Sequence, residues 1–123
     1  MSLKHIRLEL ARDHDFPTGS RERGYDVYAP LDQDGHLDAT EWRATRDQCR
    51  VRRFWPGQKD EIGRLVHKRG GGWAFDYNPT TTTDDETGFK FDKHRFIPGE
   101  YVSITEHDHV QRTFFIKAVV DLD

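Results

Sequence analysis

The sequence predicts a mainly β domain: a small closed or partly open barrel of the SH3-like, OB-like or double-psi kind, carrying one short helix. Three observations point there. Apolar residues return at every second position in about seven short runs, the period of a half-buried strand. Clusters of Pro, Gly, Asn and Asp separate those runs and supply hairpin turns. Only one segment carries a helix signature. An α+β roll is the alternative arrangement of the same elements. The 123 residues make one domain, 1–123. Hydrophobic residues are 34% and charged residues 33%, so the core must lean on 8 Phe, 4 Tyr and 3 Trp, side chains that each bury roughly 150–250 Å².

Ile6, Leu8 and Leu10 alternate with Arg7 and Glu9 and predict the first strand. Asp13 to Ser20 is loop chemistry, with Pro17 and Gly19 as breakers. Tyr25 to Ala29 predicts a second strand that stops at Pro30, and Asp32-Gln33-Asp34-Gly35 a turn. Asp38 followed by Glu41 has the form of a capping box. It opens a helix over about 39–48 whose Trp42, Thr45 and Cys49 share a face. From Cys49 onward every element reads as extended. Cys49–Trp55, Ile62–His67 and Trp73–Tyr77 are strands, with a glycine-rich turn at Lys68–Gly72. Asn78–Gly88 is polar and repetitive and predicts a mobile loop. An alternating run then extends from Phe89 to Phe96. Tyr101–Thr105 and Val110–Val120 are strands around the polar turn Glu106-His107-Asp108-His109.

One short element occurs twice. Arg53-Phe54-Trp55-Pro56-Gly57 returns as Arg95-Phe96-Ile97-Pro98-Gly99, and each copy reads as an extended segment entering a Pro-Gly turn. At the same offset Leu65 falls on His107 and Val66 on Asp108. The repeat is therefore better explained by two hairpins sharing a turn than by duplication.

Formal net charge is −3, without the basic excess of a dedicated duplex-DNA binder. The single cysteine, Cys49, excludes an intrachain disulfide and fits a reducing, cytoplasmic setting. No run of 18 apolar residues exists to span a membrane, and Met1–Arg7 lacks the apolar core of a secretory signal.

Two constellations offer binding chemistry. Arg50 and Arg52 fall on one face of a strand, with Val51 and Arg53 on the other; Lys68, Arg69 and Trp73 sit at the neighbouring hairpin. Cations interleaved with aromatics suit single-stranded nucleic acid, and a protein is the other expected partner. His107 and His109 would share a side of a regular strand, and with further ligands could hold a divalent metal. No nucleophile motif is present: Ser20 and Ser103 lack an elbow context, Cys49 reads as a buried thiol, and no catalytic residue is assigned. Gly70–Gly72 matches neither a phosphate loop nor a dinucleotide fingerprint.

Phe16-Pro17-Thr18-Gly19-Ser20, Gly24-Tyr25, Ala29-Pro30-Leu31, Asp34-Gly35-His36-Leu37-Asp38, the run Cys49–Trp55 and Pro98–Ile104 together resemble a group of short, uncharacterised bacterial proteins. The resemblance covers most of the chain. It implies a cytoplasmic bacterial protein of one small domain and no particular activity. The expected function is a non-enzymatic binding module using Arg50, Arg52, Lys68, Arg69 and Trp73, without a cofactor. The alternatives are a metal-dependent or small-ligand enzyme using His107 and His109, and a homodimer joined through strand edges at Ile6–Leu10 or Val110–Val120.

Overall fold

The computed structural model describes residues 3–77, 86–89, 91–106 and 108–122, with the backbone alone at Phe89. Eight strands lie among them: β1 (Leu3–Leu10), β2 (Ser20–Pro30), β3 (Arg50–Phe54), β4 (Glu61–His67), β5 (Trp73–Asp76), β6 (Glu86–Phe89), β7 (Tyr101–Thr105) and β8 (Gln111–Asp121). Each pairs antiparallel with the next, and β8 returns to pair with β1. The barrel is thus closed and of the up-and-down type, with no crossover. That topology settles the barrel type and differs from the Greek-key order of an OB-fold. The one helix, α1 (Ala39–Thr45), continues as a single 3₁₀ turn, Arg46–Gln48.

Alternation does most of the building. Ile6, Leu8 and Leu10 of β1, Tyr25, Val27 and Ala29 of β2, and Val102 and Ile104 of β7 all point inward and are buried. The barrel is filled by an aromatic column. Tyr25 meets Phe75 at 5.3 Å and Phe114 at 5.1 Å between ring centroids, Phe75 meets Phe91 at 5.9 Å, and Phe91 meets Phe96 at 5.2 Å. An eight-stranded barrel has room for such a column and little else.

Sequence reading misplaces four features. The run from Phe89 to Phe96 is not one strand: β6 ends at Phe89, and Phe91 and Phe96 come from irregular chain whose rings plug one end of the barrel. Hence the second copy of the repeat is not a strand entering a turn, although Gly57 (φ 77°) and Gly99 (φ 96°) both adopt the left-handed conformation. The loop assigned to Asn78–Gly88 is shorter, because Glu86–Gly88 belong to β6; its residues 78–85 lie outside the described residues. In β8 the register against β1 shifts between Arg7 and Leu8, so that Lys117 is skipped. Val119 then packs on the core and Val120 faces solvent, the reverse of an unbroken alternation. The edges proposed for self-association, Ile6–Leu10 and Val110–Val120, are spent on each other: β1 and β8 close the barrel.

Among the described residues no helix is long and apolar enough to cross a membrane.

Candidate functional site

The two ends of the barrel interior differ in chemistry. Toward the connections that follow β1, β3 and β7, inward positions carry charge. Arg53 of β3 is 6% exposed, Glu86 of β6 is 0% exposed, and Glu106, just past β7, is 2% exposed. Arg112 of β8 and Tyr77, just past β5, complete the ring with Tyr25.

Glu106 is the hub. Its Oε2 accepts from Arg53 Nε at 3.2 Å and from the Tyr25 hydroxyl at 2.5 Å. Its Oε1 lies 3.4 Å from Arg112 Nε. Arg112 also pairs with Asp13 (3.0 Å) and donates to Asp15 (3.2 Å). Its Nε and Nη1 are buried without an aligned hydrogen bond. Arg53 also donates to the Gln58 side chain at 3.1 Å. Burial alone would favour a neutral Arg53, but the carboxylate of Glu106 and its neighbours raise the guanidinium's pKa and keep it charged.

Glu86 differs. Its Oε1 has the Tyr77 hydroxyl at 2.7 Å and the Tyr25 hydroxyl at 2.9 Å. Tyr25 thus stands between two carboxyl groups, and Glu86 Oε2 also lies 3.6 Å from Arg53 Nε. Burial, reinforced by the charge on Glu106, raises the Glu86 pKa against the opposing pull of the two tyrosines and Arg53. Burial likewise raises both tyrosines, and Glu86 adds to it.

Above this network lies a cavity of about 410 Å³, lined by Asp15, Phe16, Arg53, Trp55, Gln58, Glu106, Asp108 and Arg112. Phe16 and Trp55 meet edge-on at 5.9 Å. Guanidinium groups flank the pair: Arg53 over Trp55 at 4.3 Å, Arg23 over Phe16 at 4.4 Å, and Arg112 within 6.0 Å of both rings. These contacts hold the arginines beside the aromatics.

The residues singled out in the sequence fall elsewhere. Arg50 and Arg52 do stand together on the outer wall. Arg52 is spent, however: its Nε donates to Asp26 at 3.1 Å and its Nη1 to Asp60 at 2.7 Å. Asp26 also receives Arg7 (3.2 Å) and touches His5 (2.8 Å). Burial would raise its pKa, but these partners outweigh burial and lower it. Lys68 and Arg69 are exposed in the β4–β5 turn. Trp73 is 2% exposed and packs edge-on against Trp42 at 5.9 Å, so it offers no face for a base. The proposed surface is thus divided. His107 lies outside the described residues. His109 is exposed in a turn at φ 65°, where the strand geometry that would aim two imidazoles at one ion does not apply. Metal-like proximity among the described residues occurs instead at Asp32, Asp34 and His36, a tight turn in which Asp32 Oδ1 already accepts from the backbone N–H of Asp34 and His36. Cys49 is fully buried, and burial raises its pKa against a weaker hydrogen bond from Thr45, leaving an unreactive thiol.

The charged interior was missed as a site, yet its signal is in the alternation. Arg53 shares its phase with Val51, and Arg112 shares its phase with Phe114 and Ile116. A guanidinium in the apolar phase of a strand announces a buried partner. Comparison with known proteins found no family model, no curated protein and no solved structure that matches this chain.

Proposed function

We propose that the protein is a non-enzymatic binding module, and that its ligand is a small, flat, polar molecule taken into the cavity at the charged end of the barrel. One observation carries this reading: Arg53, Glu86 and Glu106 are buried together beneath an open cavity. Buried ion pairs add little to stability compared with apolar side chains of similar volume. Their placement under a cavity with aromatic walls is the usual form of a recognition site. Trp55 and Phe16 supply the wall for a flat body. Gln58, Arg53 and Glu106 supply donors and an acceptor for its edge. Binding is favoured over chemistry, because Glu86 sits behind Tyr25, no hydroxyl or thiol side chain lines the cavity, and its Glu106 and Asp15 are engaged by arginines. The free, buried Cys49 accords with the reducing setting of a bacterial cytoplasm.

The test is the double variant Arg53→Met with Glu106→Leu. Glu106 also holds Arg112 and the Tyr25 hydroxyl, so the exchange costs stability, and ligand binding is read on a variant whose near-ultraviolet circular dichroism matches the parent's. A panel of nucleobases, amino acids and aromatic carboxylates would be screened by following the Trp55 indole N–H resonance. At least one compound should shift it in the parent and none in the double variant. A parent that responds to no member, or a variant that responds equally, overturns the reading.

A further inference from the structure

We propose a second, independent site on the outer wall: the groove between α1 and strands β3 to β5 docks an acidic, partly apolar segment of a partner protein. The groove has a volume of about 610 Å³ and is lined by arginines from three elements, Arg46, Arg50 and Arg64, with Ile62 and Val66 on its floor.

The groove is electrostatically incomplete. Arg50 and Arg64 are register partners, directly opposite each other across β3 and β4. Like charges so placed repel; Asp76, which also lines the groove, stands opposite Arg64 across β4 and β5, so three arginines face one carboxylate in the lining. Arg46 joins them from the turn after α1, its guanidinium 4.9 Å above the Trp42 ring. Arg46 and Arg50 make no ion pair among the described residues, and Arg64 reaches the exposed Asp47 at 3.6 Å. The contrast with Arg52, one pleat away and held by Asp26 and Asp60, is sharp. Where this wall uses arginine for structure, it supplies the counter-charge. Along the groove floor Ile62 is 54% exposed, so the surface offers apolar contact between positive groups.

Three features select the partner. Charge complementarity requires an anionic one. Of the aromatic rings in the lining, Trp42 lies beneath Arg46, His67 packs against Trp73 at 4.3 Å, and Tyr77 turns its hydroxyl inward to Glu86, so none is laid open for a nucleic-acid base to stack on. The exposed Ile62 calls instead for an apolar side chain spaced among the acids. A closed barrel has no free edge, so docking is through side chains and not by addition of a strand.

The experiment is fluorescence anisotropy on the full chain with three labelled probes: a peptide of alternating Glu and Leu-rich turns, the same peptide with Glu replaced by Lys, and an oligothymidine of equal charge. The acidic peptide should bind, and more weakly as salt is added. Arg50→Glu should weaken it about tenfold, and Arg50→Gln with Arg64→Gln should abolish it. Arg50→Glu also puts opposite charges across the strand pair. Its melting temperature should therefore equal or exceed the parent's, which separates lost binding from lost structure. Preference for the oligothymidine, absence of acidic-peptide binding, or binding indifferent to both variants would overturn the proposal. The Arg53–Glu106 double variant should bind the peptide normally, so the two sites are tested separately.

Discussion

Glu86 is buried at the charged end of the barrel, and its raised pKa has a measurable sign. Its folded pKa lies above the ordinary carboxyl value, so the native state holds a proton that the unfolded chain releases. Stability from this group is complete below the unfolded pKa and is lost as pH rises through the folded one. Glutamine removes the charge and keeps the shape, its carbonyl accepting from the Tyr77 and Tyr25 hydroxyls that meet at one oxygen of Glu86. The urea midpoint of Glu86→Gln should therefore fall less than the parent's as pH rises from acid to neutral. An equal fall in both would show that Glu86 does not titrate with a raised pKa. Asp26 works in the opposite direction. Its lowered pKa contributes stability above the unfolded value that is lost as pH falls through the folded one. At this scale the sequence is informative about which way a side chain faces and silent about its partners. Arg53 and Arg112 could be placed inward by phase alone. Glu86 could not, because it follows a polar run that reads as loop.

Elements form where local chemistry and tertiary demand agree, and they are misread where only the second applies. Helix α1 is the first kind. Asp38 caps it, its carboxylate accepting from the Glu41 N–H at 3.1 Å, and Trp42 anchors it by donating its indole N–H to Leu65 O at 2.9 Å. Asp38→Ala should cost about 1 kcal/mol of global stability, read as a lower urea midpoint with an unchanged barrel fold by circular dichroism. Strand β6 is the second kind. Glu86-Thr87-Gly88-Phe89 has weak strand propensity, and it is extended because β5 and β7 leave one gap to close. Gly88 has a packing reason: a Cβ there would stand 2.4 Å from the ring of Phe91. The plug at Phe91 and Phe96 has an alternating look that belongs to no strand. Two buried phenylalanines five residues apart satisfy an apolar pattern without a ladder beneath them. The slip at Lys117 is illegible for a related reason. A bulge is set by how β8 must wind to meet β1, and no residue at that point demands it.

At the scale of the molecule, the fold class was readable because hairpin follows hairpin. A meander needs each strand to find only its sequence neighbour, and turn chemistry marks each reversal. The closing pair, β1 with β8, is the exception. It joins segments separated by most of the chain, and nothing local in either announces the other. Closure removes the strand edges through which small β proteins self-associate. It also places the two arginine-rich regions apart, one inside the charged mouth and one outside on the β3–β5 wall.

The hydrogen bond from Leu122 N–H to Leu3 O, 3.3 Å long, makes the barrel a ring in which no seam is privileged. Joining β8 to β1 through a short glycine linker and reopening the chain between Gly70 and Gly71 yields a circular permutant. Both glycines have positive φ and open space around them. The permutant should fold to the same near-ultraviolet spectrum and retain whatever ligand the mouth takes. A permutant that collapses without fixed aromatic signals would mean that the order of synthesis, and not the ring of neighbours, specifies this architecture.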